Sequence, residues 1–144
     1  MCRSSSATSS AANRSADWPL LAGAPDAKNP HESYLFYYAK NELQALTSGQ
    51  WKLILPHTYP SAAGQAPPDG GKPMPYRQVR ITEPELYDLS SDREERTNVA
   101  ARNQDVVARL LTLAEKARAE LGDSLTGRTG SQVREPGRLQ VAAK

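Results

Sequence analysis

The chain has 144 residues, enough for one domain with a core of its own and too few to expect two. Its 18 Lys and Arg nearly balance 16 Asp and Glu, and no basic cluster is interleaved with aromatics, which argues against nucleic acid as a partner. A single cysteine, Cys2, excludes an internal disulfide, and with only two histidines beside it no structural zinc set is expected.

An apolar fraction of 38%, much of it alanine, predicts an ordered part smaller than the whole chain. No apolar run approaches the roughly 18 residues of a membrane span, and the N-terminus lacks the apolar centre of a secretory signal. Residues 1–16, "MCRSSSATSSAANRSA", have no periodicity and little to bury, so they are expected to be disordered. Residues 17–33 read as a linker: Trp18, Leu20 and Leu21 offer an apolar anchor, while Gly23, Pro25 and Pro30 interrupt any long element.

From residue 34 to about 123 the pattern becomes that of a folded domain. "SYLFYYAK" is aromatic and favours strand, and in "ELQAL" and "WKLIL" the residues Leu43, Ala45, Trp51, Leu53 and Leu55 fall at every second position. Strands over 42–46 and 51–55, joined through Ser48-Gly49, are predicted to form an antiparallel hairpin. Residues 56–75 carry six prolines along with Gly64, Gly70 and Gly71, and are read as a long exposed loop, the kind of segment in which specificity often resides. Strand signal returns at "YRQVRI" and "ELYDLS".

A helix is predicted over 103–121. Val106, Leu110, Leu113, Ala114, Ala117 and Leu121 recur at three- and four-residue steps, with Arg109, Glu115, Lys116 and Glu120 on the other side. Asn103 or Asp105 is placed to cap its start, and Gly122 to end it. Residues 124–144 have no apolar stripe and read as an irregular tail. The expected fold is therefore α+β, with a small antiparallel sheet of about four strands covered by one C-terminal helix.

Four stretches invite a chemical reading. His57 stands where a strand meets a loop, a position suited to acid, base or anion-donor roles. The plainer alternative is a loop histidine with a satisfied hydrogen bond, and no G-x-S-x-G accompanies it. His31, between Pro30 and Glu32, has the plainer reading still more clearly. Asp88, Asp92, Glu94 and Glu95 lie close together, but the glycine turn and distal glutamate of a calcium loop are missing, so a solvated turn before the helix is expected. Gly70-Gly71-Lys72 lacks the first glycine and the hydroxyl of a phosphate loop.

Three segments in order, "YYAKNELQALTSGQWKLILPHTY", "LYDLSSDREERTNVA" and "DVVARLLTLAEKARAELGD", resemble the C-terminal portion of sulfatases of the arylsulfatase and N-acetylgalactosamine-6-sulfatase type. The likeness runs from residue 17 to about 130, and residues 17–33 are similar to that family's linker into its small C-terminal sheet. It implies a sulfuric ester hydrolase whose nucleophile is a formylglycine made from the first residue of Cys/Ser-x-Pro-x-Arg, assisted by calcium or magnesium. In "PMPYR", the nearest spacing here, Pro73 stands at the nucleophile position, and Cys2 is followed by "RSSS". No residue of this chain inherits the nucleophile or the metal ligands, so the chain is expected to be a fragment, inactive alone and without a cofactor of its own.

The resemblance further implies a catalytic sulfatase domain as partner, and places His57 near a sulfated substrate in a complete enzyme. Tyr34, Phe36, Tyr37, Tyr38 and Trp18 supply more aromatic surface than a half-solvated sheet needs, which fits such a partner. The alternative is a stand-alone, non-catalytic module that holds a partner protein or a sulfated sugar, with Lys72, Arg77 and Arg80 as a basic set. An independent hydrolase using His57 is the third and least favoured reading. Relatives of this kind are often secreted or lysosomal.

Overall fold

A computed structural model describes residues 18–66 and 68–134. The segment expected to be disordered, 1–16, lies outside the described residues, as do 135–144. The chain divides into two compact units, Met1–Glu32 and Ser33–Lys144.

In the first unit a four-residue helix, α1 (Trp18–Leu21), opens with Pro19 in its first turn, where a missing N–H costs nothing. Gly23 N donates to Leu20 O and Ala24 N to Pro19 O, closing the turn. Leu20 and Leu21 are exposed.

The second unit is built on four antiparallel strands, β1 (Tyr34–Tyr38), β2 (Glu42–Ser48), β3 (Trp51–Ile54) and β6 (Glu85–Asp88), adjacent in the order β1-β2-β3-β6. The hairpin between β2 and β3 is tighter than the residue pattern suggests: Ser48 pairs with Trp51, leaving only Gly49-Gln50 as the loop. Gly49 takes φ 59°, the glycine-favouring first position of a two-residue turn.

One helix, α2 (Gln104–Leu121), covers a single face of this sheet. Leu35, Leu46, Leu53 and Leu86 lie in one cross-strand row, so their side chains share a face, and the last three are fully buried together with Leu110 and Ala114 of the helix. The predicted strand alternation needs one correction. Phe36 pairs with Ala45 but Tyr37 with Leu43, so Gln44 is an extra residue on β2 and forms a bulge. The bulge turns Leu43 and Leu46, three apart, onto the helix side, whereas Ala45 stands opposite Phe36 and Ile54 on the other face.

On α2, Leu110, Ala114 and Ala117 are buried and Val106 and Leu113 pack beside them, whereas Leu121 is exposed. Asn103 is the N-cap by position, yet its side chain caps no helix N–H; its Nδ2 donates back to Val99 O at 3.0 Å. Gly122 ends the helix at φ 83° as expected.

The two segments read as irregular each contain a strand. Within 56–75, β4 (His57–Ser61) pairs with β5 (Arg77–Ile81) in a separate two-stranded ribbon. Pro60 is tolerated there, opposite Gln78, because a two-stranded ribbon leaves one edge of each strand without ladder bonds. The "YRQVRI" strand thus joins this ribbon and not the main sheet. Beyond the helix, β7 (Gly122–Asp123) pairs with β8 (Arg128–Thr129). A Cβ built on Gly130 would stand 2.3 Å from Leu121 C, so this return strand lies against the helix end at a distance only glycine permits.

Asp123 holds the return in place. It is fully buried, and its carboxylate accepts from Leu43 N, Leu125 N and Arg118 Nε. Tyr37 Oη donates to Gly122 O at 2.9 Å and Asn41 Nδ2 to Leu121 O at 3.1 Å, tying the β1–β2 turn to the helix end. Among the described residues no helix is long and apolar enough to cross a membrane.

Candidate functional site

The sheet face away from α2 carries the rows Tyr34–Thr47–Lys52–Tyr87 and Phe36–Ala45–Ile54–Glu85. Tyr34, Phe36 and Tyr38 are about half exposed or more. One part of this face is closed by the loop after β6. Glu95, held at φ 55°, accepts from Lys52 Nζ through both carboxylate oxygens, at 2.7 and 2.8 Å, and the ammonium lies 5.6 Å from the Phe36 ring centroid. The Tyr87 hydroxyl donates to Glu85 at 2.8 Å; burial, followed by that carboxylate, raises its pKa well above the usual phenol range. Beyond Lys52 the face is open, and Phe36, Tyr38, Ala45, Ile54 and His57 wall a cavity of about 280 Å³.

His57 begins β4, two residues after the buried Leu55 that follows β3. Its Nδ1 lies 2.7 Å from Leu55 O. A carbonyl only accepts, so Nδ1 carries the hydrogen and Nε2 of the neutral ring is left as an acceptor. The alternation of β4 sets Tyr59 on the same side as His57, with ring centroids 5.7 Å apart. On its other side His57 lines a second, more polar cavity of about 370 Å³, with Glu42, Thr58, Arg80 and Thr82. One histidine is thus a wall of both cavities, one largely aromatic and one charged.

The acidic turn is a self-contained scaffold. Asp88 accepts from Ser90 N and Ser90 Oγ, Asp92 accepts from Thr97 N, and these bonds hold both carboxyl groups below their ordinary range. Asn98 Oδ1 accepts from Leu86 N and Val99 N donates to Leu86 O, closing the outer edge of β6. Among the described residues no three His, Cys, Asp or Glu side chains converge as a metal site would require.

The structure separates the remaining residues of interest. His31 belongs to the first unit, where its backbone N–H donates to Asn29 Oδ1 at 2.9 Å. Of the basic set, Arg77 is engaged with Ala63 O at 3.0 Å, and Arg80 alone lines the cavity beside His57. Glu42 and Lys52 escaped the sequence reading. Lys52 alternates with the partly buried Trp51 and the buried Leu53, so its outward placement was legible there; Glu42 was not, since no local pattern brings the start of β2 beside β5.

Comparison with known protein families adds one finding: the family model for the C-terminal region of aryl-sulfatase matches residues 29–136. A comparison with individual curated proteins gave no match. The matched span takes in the four-stranded sheet, the β4–β5 ribbon and α2, all the elements that position His57. The chain therefore belongs to the family of aryl-sulfatase C-terminal regions.

Proposed function

We propose that this domain works as the C-terminal part of a sulfuric ester hydrolase, docking on a catalytic region through its open sheet face and presenting His57 to the substrate. The observation that carries the reading is the coincidence, on one face, of exposed Phe36 and Tyr38 with the cavity bordered by His57. An exposed aromatic patch of this kind is costly to leave in water, and the family to which the chain belongs is defined as one region of a larger enzyme.

The chain alone hydrolyses no sulfate ester on this reading. A bare histidine without a nucleophile and a charge-stabilising partner does not complete such a reaction, and Cys/Ser-x-Pro-x-Arg occurs nowhere in the sequence. Formylglycine and its divalent cation belong to the catalytic region. His57 is a substrate-proximal residue: its fixed Nδ1 leaves Nε2 to accept a hydrogen bond from the ligand.

The test is to mix the purified chain with a sulfatase catalytic region that lacks its own C-terminal domain and to follow aryl sulfate hydrolysis. Activity that depends on both pieces and is lost with Phe36→Ser is expected. Turnover by the chain alone, or association unaffected by Phe36→Ser, overturns the proposal. A stable, soluble monomer that holds a sulfated sugar and ignores the catalytic region would instead support a stand-alone binding module, the reading favoured by unpaired Arg80.

A further inference from the structure

The two outer edges of the four-stranded sheet are finished differently. At β6 the N–H of Leu86 donates to Asn98 Oδ1 at 3.1 Å and its C=O accepts from Val99 N at 2.8 Å, so the segment before α2 closes that edge. Leu86 therefore directs its backbone groups away from β3, and the alternation of an antiparallel ladder carries this across the row to β1. Leu53 and Leu46 form the bonded pair, and Leu35 turns its N–H and C=O outward, as does Tyr37 two residues on. Among the described residues no further group bonds to Leu35 on that side.

Sheet edges are commonly guarded by a lysine, a proline or a bulge in the edge strand. β1 has none of these: its sequence is Tyr-Leu-Phe-Tyr-Tyr, and the bulge lies in β2. Tyr34, Phe36 and Tyr38 are about half exposed or more on the open face, while Leu35 and Tyr37 are partly buried at the margin of the core. Such a strand is a template for another strand.

The same edge turned round fits it. Antiparallel pairing centred on Phe36 sets Leu35 opposite Tyr37 of the second copy, so the outward N–H and C=O groups of both meet. Phe36 faces Phe36 across the two-fold axis at a non-hydrogen-bonded position, where side chains are closest, and Tyr34 faces Tyr38. A shift by one residue would set outward groups against inward ones and mix the two faces. The nearest charges also match. Exposed Glu32 precedes the strand and exposed Lys40 follows it, and antiparallel pairing brings the start of one strand beside the end of the other.

We infer that two copies of this chain associate through β1, antiparallel about Phe36, joining their four-stranded sheets into one. The inference does not rest on the proposed function: it uses the edge of the sheet and leaves the open face of each copy uncovered.

The test is sedimentation of the full 144-residue chain carrying Cys2→Ser, which removes the native thiol. A monomer–dimer equilibrium is expected. Leu35→Pro deletes an outward N–H and keeps the ladder to β2. It should weaken the dimer at least about tenfold, the scale of one lost hydrogen bond, with an unchanged circular dichroism spectrum. Cysteine cross-linking decides the matter even if that variant unfolds. In the Cys2→Ser background, Phe36→Cys sets the thiols of two copies at a separation a disulfide spans, so mild oxidation should give a covalent dimer. Tyr34→Cys lies on the same face but more than about 10 Å from its own copy, and should give none.

A chain that stays monomeric at millimolar concentration overturns the inference, as does a dimer that a folded Leu35→Pro variant leaves intact. Cross-linking as efficient at position 34 as at 36, or at neither, overturns it as well. Protection of the Leu35 and Tyr37 amides from hydrogen exchange only when the catalytic region is added would assign this edge to that region, against the inference.

Discussion

Arg118 Nε donates to Asp123 Oδ2 at 2.8 Å, across the turn that ends the helix, and the carboxylate it meets is fully buried. Burial opposes the charge on Arg118, but its hydrogen bonds to Asp123 and Glu115 outweigh that and raise its pKa above the ordinary value. Asp123→Ala would leave the guanidinium and the N–H groups of Leu43 and Leu125 without their acceptor. A loss of about 3–5 kcal/mol is expected, the scale for breaking a buried pair from one side. Urea unfolding of the variant checks it, and a loss below about 1 kcal/mol would mean that water reaches this turn.

The return strand makes a second, purely steric prediction. A Cβ on Gly130 meets Leu121 C at 2.3 Å and Glu120 O at 2.4 Å, whereas one on Gly127 meets nothing within 4 Å. Gly127→Ala carries only the strain of its φ of 68°, of order 1 kcal/mol. Gly130→Ala should destabilise clearly more, since backbone must move. Equal melting temperatures for the two variants would show that β8 does not lie against the helix end.

Acid should loosen the second unit. Glu115 is held below its ordinary 4.5 by Arg118 and then Arg128, and Asp88 and Asp92 below their ordinary 3.8 by Ser90 and Thr97 respectively. In each case the unfolded chain binds the proton more readily, so stability rises with pH through this range. The stabilisation is complete above the ordinary values and is lost as pH falls below them, through the folded-state values. The urea midpoint is expected to drop between about pH 5 and about pH 3, and Glu115→Gln should flatten the upper part of that slope. A midpoint constant across the window would contradict the assignment.

Register supplies the sharpest test of the sheet. Deleting Gln44 removes the bulge and leaves Leu43 and Leu46 two apart in a regular strand, both still on the helix side. The deletion variant should therefore unfold cooperatively with its pairing to β1 kept. Leu53→Ala, which opens a cavity in the buried row, should cost about 2–5 kcal/mol and keep the fold. Loss of cooperative melting in the deletion variant would contradict the placement of the extra residue at Gln44.

His57 can be read directly. With Nδ1 donating to Leu55 O, the neutral ring should show a protonated Nδ1 and a bare Nε2 in long-range nitrogen–proton NMR spectra. The opposite tautomer would remove the basis for treating Nε2 as the atom offered to the ligand.

Much of this was legible in the chain itself. Period-two and period-3.6 spacing of leucines located β2, β3 and α2 because those faces had to be buried together, and Gly49 and Gly122 marked turns whose φ only glycine adopts readily. The segments "LYDLSSDREERTNVA" and "LQALTSGQWKL" carried the family resemblance on residues whose roles are now visible: Asp88, Asp92 and Asn98 build the loop that closes β6. His57 was singled out by its place after a strand.

Other features were decided only in three dimensions. The bulge at Gln44 follows from pairing with β1, and no local pattern announces an extra residue. The ribbon of β4 and β5 joins segments separated by a proline-rich stretch, so its stability depends on cross-strand contacts and not on propensity. Asp123 looks like a tail residue until Arg118 and the N–H groups of Leu43 and Leu125 converge on it. The charged cavity is of the same kind, since Glu42, His57 and Arg80 come from three strands. Local sequence determines which face each element must bury; the meeting of side chains far apart in the chain is determined by how those faces pack.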